Sequence, residues 1–233
     1  MAVVLVTGAS QGIGAAIARA FASQHGTNLV LVSRNASRLR EVCDQCRVKG
    51  AQARFFTVDL TRERDVAQMA STTIETIGVP DVIVNNAGQF LPGSVSEIKP
   101  ADFRTQIDVN LMSAFLVTHS FLPAMLRARG GHIFFMASVA SIKGYPQGAA
   151  YCAAKHGVLG LARALREETR EHGIRVTSMI PGATNTASWE GLNLPASRFI
   201  PPDDVAKAVV DIYKLSGQSV VEEILIRPQL GDL

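Results

Sequence analysis

Short apolar runs and longer amphipathic stretches alternate along the whole of this chain. The apolar runs fall at residues 3–7, 28–33, 52–58, 81–84, 132–137, 174–180 and 223–226. Stretches with helical periodicity lie between them, at 12–25, 36–49, 62–77, 101–126, 150–172 and 202–214. The runs are continuous rather than alternating apolar and polar, which predicts strands buried on both faces. Strand and helix alternating with short connections predicts an α/β fold, a seven-stranded parallel sheet with helices on both faces. Neither a linker nor a repeat interrupts the pattern, so residues 1–233 read as a single domain.

Composition narrows the function classes. At 47% hydrophobic and 18% charged, the chain suits a domain with a full core, and its 19 Gly and 10 Pro exclude a low-complexity chain. The net charge of +3 is scattered rather than striped, so no nucleic-acid partner is expected. The longest unbroken apolar runs, 1–6 and 149–154, fall well short of the ~20 residues of a membrane span. The opening run leads straight into a glycine turn, and the first basic residue is Arg19, unlike a signal peptide. A cytoplasmic protein is the expectation. Cys43 and Cys46 have redox or zinc spacing, but no second Cys/His pair accompanies them, and on a helix they are i, i+3 neighbours. The histidines (His25, His119, His132, His156 and His172) form no metal-like cluster, so no metal is expected.

The first strand runs into Thr7-Gly8-Ala9-Ser10-Gln11-Gly12-Ile13-Gly14, and a helix follows. Gly8 permits a tight turn, Gly12 lets backbone approach a pyrophosphate, and Gly14 lets helix pack closely on strand, as in a Rossmann-type, doubly wound domain. The N–H groups and dipole of such a helix start favour phosphate. A simple structural turn is the alternative. NAD-binding domains place an acid about 20 residues on, for the ribose 2′-hydroxyl. Here that place holds Ser33-Arg34, with Arg38 one turn later. A hydroxyl beside a guanidinium suits the 2′-phosphate of NADP(H); a solvated surface arginine is the other reading. Asn85-Asn86-Ala87-Gly88, at the end of the fourth strand, offers small residues where ligands meet such sheets.

Ser138 ends the fifth strand, and Tyr151-Cys-Ala-Ala-Lys155 begins the next helix. Residues i and i+4 share a helix face, so Tyr151 and Lys155 point the same way. A nearby ammonium favours a phenolate, which is expected to tune Tyr151 toward neutral pH as an acid/base. Ser138 can hydrogen-bond a substrate carbonyl.

These motifs together resemble the short-chain dehydrogenase/reductase family, from Met1 to about Pro228. The resemblance rests on the glycine turn, Asp59, Asn85 to Gly88, Asn110, Ser138, Tyr151, Lys155 and Pro181-Gly182. It implies that Asn110 holds a proton-relay water near Lys155, and that Asp59, followed by Leu60, lies beside the adenine. It also implies that Pro181-Gly182 borders the nicotinamide, with Thr186 the family's downstream threonine. The ending at 220–228 and the run 131–138 look closer to bacterial sepiapterin-reductase-like members than to 3-oxoacyl carrier-protein reductases.

The expected activity is NADPH-dependent reduction of a small-molecule ketone or dicarbonyl, sepiapterin-like molecules included, through Asn110, Ser138, Tyr151 and Lys155. A carrier-protein reductase, with Arg127 and Arg129 meeting an acidic partner, and a non-catalytic NADP-binding sensor or scaffold are the alternatives. Residues 183–200, with Trp189, read as a substrate lid or a surface loop. Gln89, Phe90, Leu91, Val139 and Tyr145 suggest an apolar substrate mouth, and Asp232 is a candidate anchor for a pterin. Ala153, Gly157, Gly160 and Ala164 form a small-residue stripe on the helix carrying Tyr151. With the family resemblance, that stripe implies a homodimer or a homotetramer; packing on the sheet is the other reading.

Overall fold

The computed structural model describes residues 1–189 and 194–232, and residues 190–193 of the expected lid lie outside them. One sheet contains β1 (Ala2–Thr7), β2 (Thr27–Ser33), β3 (Gln52–Thr57), β4 (Val82–Asn85), β5 (Gly131–Met136), β6 (Ile174–Pro181) and β7 (Glu223–Ile226). The helices are α1 (Gly12–Ala22), α2 (Ala36–Val48), α3 (Glu63–Thr76), α4 (Pro100–Ile107), α5 (Ser113–Ala128), α6 (Ala149–Thr169) and α7 (Pro202–Tyr213).

The strand order is β3-β2-β1-β4-β5-β6-β7, and every pairing is parallel. From β1 the chain winds outward through β2 and β3, then crosses back to β4 on the other side of β1. That reversal opens a crevice beyond the carboxyl ends of β1 and β4, where ligands bind in doubly wound sheets.

Successive side chains on each strand leave opposite faces, and both faces are covered. Val4 and Val6 of β1 pack with α1, α2 and α7, while Val3 and Leu5 pack with α3, α5 and α6. Each such buried side chain contributes about 1.5–3 kcal/mol, so a polar residue at any of them is costly. This is why the strands read as unbroken apolar runs.

The stretch expected as one helix over 101–126 is interrupted. A π-helical turn, Asp108–Met112, separates α4 from α5, and it contains the buried Asn110. Together they make a helical run, Pro100–Ala128, that is long and apolar enough to cross a membrane by length and composition. Counting unbroken apolar runs misses it because Ser113, Thr118, His119 and Ser120 interrupt it. Half of its most apolar stretch is buried within the protein, and α5 packs on α3.

Cys43 and Cys46 are buried on the core face of α2 beside Leu39 and Val42. Burial raises the Cys43 thiol and pushes Cys46 up to about 11, so both stay protonated and pack as small apolar groups.

Candidate active site

The crevice is a cleft of about 1150 Å³. Every residue read from the sequence as catalytic or cofactor-binding lines it except Gly14, which lies behind the turn. A Cβ on Gly14 would stand 2.4 Å from the Gly8 carbonyl oxygen, so the helix sits as close to the turn as glycine allows. Gly8 itself has φ +63°, the left-handed region that other residues avoid.

Thr7 joins the two strands that form the crevice. Its hydroxyl donates to the Val84 carbonyl at 3.2 Å and accepts from the N–H groups of Asn86 and Ala87 at 2.9 and 3.0 Å. The Asn86 side chain donates back to the Thr7 carbonyl at 2.9 Å. The segment after β4 is thereby fixed against the glycine turn. Asn85 turns away, donating to the Thr118 hydroxyl at 2.9 Å.

At one end of the cleft, the start of α1 has no side-chain cap and no acidic residue in its first turn. Its N–H groups are left for an anion. Arg34 and Arg38 are exposed at the rim, and Arg38 donates to the Gln11 side chain. Asn35 caps α2 by accepting from the Arg38 N–H at 3.0 Å. Ser33 accepts from the Asn35 N–H at 3.1 Å. Asp59 accepts from both the hydroxyl and the N–H of Thr61, at 2.8 and 3.1 Å. Those bonds hold its carboxyl below the ordinary range, assisted by the Arg34 and Arg62 charges.

At the other end, Ser138, Tyr151 and Lys155 converge. The Ser138 hydroxyl accepts from the Ala140 N–H at 3.2 Å, and Ser141 accepts from the Ser138 N–H at 3.2 Å. That reciprocal cap fixes the serine at the end of β5. Lys155 is buried and donates to the Met136 carbonyl at 2.7 Å, with Nζ 5.6 Å from the centre of the Tyr151 ring.

This geometry corrects the expected tuning of the tyrosine. Burial pushes Tyr151 up to about 12; its hydrogen bond with Ser138 pulls the other way, and Cys152 adds to the rise. Lys155 is itself desolvated, down to about 8, and its ammonium meets the ring and a carbonyl instead of drawing out the phenolate. Tyr151 therefore stands as a protonated donor.

Asn110 holds the segment after β4 by both ends of its amide. It accepts from the Gln89 N–H at 3.1 Å and donates to the Gln89 carbonyl at 2.9 Å and the Gln106 carbonyl at 3.0 Å. Gly88 has to be small because a Cβ there would lie 2.7 Å from the Asn110 side-chain oxygen.

Sequence reading missed Gln106. It is fully buried in α4 one turn before Asn110, and its oxygen faces the Asn110 amide and the Leu91 N–H, both at 3.4 Å. The available signal was its spacing, four residues before Asn110 and so one turn away on the same helix face. Also missed was the pairing of Lys143 with Asp232, 3.7 Å apart at the cleft mouth. Asp232 also pairs with Arg227, whose hydrogen bond, with Lys143 adding, keeps its carboxyl ionised. Gln89, Phe90, Val139, Tyr145 and Trp189 line the mouth, but Leu91 does not. Its N–H faces Gln106 and its side chain is exposed. Trp189 packs on Phe199, ring centres 5.5 Å apart, tying the start of the 183–200 segment to its end.

The sequence model described as short chain dehydrogenase matches residues 2–196. The chain belongs to this family. It is an oxidoreductase fold by descent as well as by geometry. A sepiapterin reductase from Chlorobaculum tepidum is 36% identical over 238 residues, covering 99% of this chain and 98% of its own. Among solved structures, an alcohol dehydrogenase from the archaeon Thermococcus sibiricus complexed with 5-hydroxy-NADP is similar at TM-score 0.91 and 29% identity, over 98% of this chain and 97% of that one. A metagenomic short-chain oxidoreductase in complex with NADP is similar at TM-score 0.87 and 36% identity, over the same 98% and 97%.

Proposed function

We propose that this short-chain dehydrogenase is an NADPH-dependent carbonyl reductase acting on a small ketone or dicarbonyl. The observation that carries the reading is one cleft with a protonated Tyr151 beside Ser138 at one end and an open helix start with Arg34 and Arg38 at the other. The residues fit the cofactor. Glycines clear its path, the N–H groups of α1 suit a pyrophosphate, and the turn after β2 meets a 2′-phosphate with arginines rather than a carboxylate. The NADP complexes of similar proteins support the same choice.

NADPH, when bound, supplies the hydride that adds to the carbonyl carbon. Ser138 donates a hydrogen bond to the carbonyl oxygen and steadies the negative charge that builds there. Tyr151 passes its phenolic proton to that oxygen, completing the alcohol. Lys155 holds a positive charge beneath the tyrosine and, as the family resemblance implies, would bind the nicotinamide ribose. Asn110 keeps the backbone of Gln89 in place beside them and, as the family resemblance implies, holds a relay water.

The test is NADPH oxidation with sepiapterin, aromatic vicinal diketones and 3-oxoacyl thioesters, repeated with Tyr151→Phe. The variant keeps ring packing but has no proton to transfer, so turnover should fall at least about 100-fold, with NADPH affinity little changed. Wild-type turnover by the variant removes Tyr151 from the chemistry. Binding of NADPH without turnover of any carbonyl compound favours a sensor or scaffold, and preference for the thioesters favours a carrier-protein reductase.

A further inference from the structure

Phe90 meets the ring of Tyr151 edge to face, ring centres 5.3 Å apart, and forms one wall of the place where the phenol sits. Its two neighbours in the chain are each pinned. Gln89 exchanges two hydrogen bonds with the Asn110 side chain, at 3.1 and 2.9 Å. Leu91 gives its N–H to the Gln106 side-chain oxygen at 3.4 Å, and that N–H has no other acceptor among the described residues. Gln106 and Asn110 lie a turn apart on one helical stretch, so Phe90 is held from either side by α4 and the π-turn.

Gln106 is an unfavourable residue for its place. It is fully buried, and its side-chain nitrogen has no hydrogen-bond partner among the described residues. A buried donor left unpaired is costly, and an apolar side chain of the same length would fill the position without that cost. The amide cannot turn over to pair its nitrogen. The atom facing the Leu91 N–H and the Asn110 amide has two donors before it, so it has to be the oxygen. Asn110 does not need that oxygen, because its amide already donates to the Gln89 and Gln106 carbonyls at 2.9 and 3.0 Å. What remains for it is Leu91.

We propose that Gln106 is a positioning residue: by fixing the Leu91 backbone it sets Phe90 against the Tyr151 ring and so keeps the phenol aimed at the substrate's carbonyl oxygen. This rests on the carbonyl-reductase reading. An edge-to-face partner restricts the rocking of the ring, and the phenol has to stand within hydrogen-bond reach of the substrate oxygen when the proton passes. Gln106 does not line the cleft, so it acts only through that connection.

The experiment measures kcat, KM, NADPH affinity and the denaturant midpoint for Gln106→Met, Phe90→Leu and the double variant, on the best carbonyl substrate of the wild type. Methionine keeps the length and flexibility of glutamine but has no oxygen for Leu91. Gln106→Met should lower kcat roughly two- to tenfold, matching the contribution of one edge-to-face pair, with KM, NADPH affinity and the midpoint unchanged. The double variant should turn over as Phe90→Leu does, since without the ring Gln106 has nothing left to position. Wild-type kcat in Gln106→Met, losses that multiply in the double variant, or a lower midpoint overturns the positioning role while leaving the reductase reading intact. A wild type that binds NADPH and reduces no carbonyl compound overturns both.

Discussion

Lys155 donates a hydrogen bond from its ammonium to the Met136 carbonyl at 2.7 Å, so the charge on α6 is anchored to the end of β5. Burial costs that charge, and the lysine titrates near 8 rather than near 10.5. Tyr151, near 12, remains protonated far above that point. As pH rises through about 8 the positive charge beneath the tyrosine is lost while the phenol keeps its proton. The value of kcat/KM for NADPH, which reports the ligand-free protein, should therefore be level near neutrality and fall along a limb centred near pH 8. A profile that stays flat to about pH 10 means Lys155 titrates as a solvated lysine and contradicts the burial argument.

Cofactor choice should depend on Arg34. It stands exposed at the rim where the turn after β2 presents no carboxylate, and its charge is felt by Asp59 across the cleft. Charge-assisted hydrogen bonds to a phosphate are worth about 1.5–3 kcal/mol, so Arg34→Asp should cost NADPH roughly 10- to 100-fold in kcat/KM. The new carboxylate can accept from a ribose 2′-hydroxyl, which should reverse the preference toward NADH. Equal wild-type efficiency with both cofactors would sink the assignment.

Much of this site was legible before any coordinates. The apolar runs mark strands because both faces of a parallel sheet are buried, and the glycine turn declares itself because Gly8 and Gly14 have no substitute. The order of glycine turn, Ser138, Tyr151 and Lys155 points to the cleft where we propose the chemistry. What was hidden depends on contacts between distant segments. The i, i+4 spacing puts Lys155 on the face of Tyr151 but does not say that its Nζ reaches the Met136 carbonyl. The π-turn at Asp108–Met112 leaves no mark, because one added residue hardly alters an apolar helical period and neither Pro nor Gly flags it. Lys143 and Asp232 meet only because β7 returns the chain end to the cleft mouth.

His132 should make stability depend on pH. It is fully buried in β5, stacked 4.0 Å from Phe134, and its Nε2 faces the Thr177 hydroxyl at 2.7 Å. That hydroxyl donates to the Val221 carbonyl at 2.6 Å, so it accepts from the histidine, which is neutral. Burial, with the Arg175 charge adding, lowers its pKa from 6.5 to about 3. Between these values the unfolded chain binds a proton that the folded chain refuses. The contribution is thus complete above 6.5 and is lost as pH falls toward 3, with a slope approaching about 1.4 kcal/mol per pH unit. Denaturant melts should show wild type losing about 2 kcal/mol more than His132→Phe between about pH 7 and 5. Parallel losses in the two proteins would mean that His132 ionises in place.

Assembly is the last expectation, and it rests on the outer face of α6. Gly157 is accounted for within the chain, since a Cβ there would meet a Leu111 methyl at 2.7 Å. Gly160 is not. It is exposed, as are Ala153 and Ala164 on the same stripe, and an added Cβ meets nothing within 4 Å. Packing on the sheet therefore does not explain it. A glycine in a helix interior costs about 1 kcal/mol relative to alanine, and here nothing inside the chain offsets that. Neighbouring segments expose Phe103, Met112 and Phe115, each 37–39% accessible, so apolar surface is available beside the stripe. A self-complementary contact across a two-fold axis is the commonest route to a symmetric oligomer. We therefore propose a homodimer through this face, or a homotetramer built from such dimers. Gly160→Leu has room within the chain and improves helix propensity, so the protomer should stay folded while assembly fails. Activity should fall with it, since the same helix carries Tyr151 and Lys155. Light scattering should find wild type at a multiple of 24.9 kDa and the variant nearer one protomer. A wild type that remains a monomer at every concentration would leave Gly160 with no role in assembly.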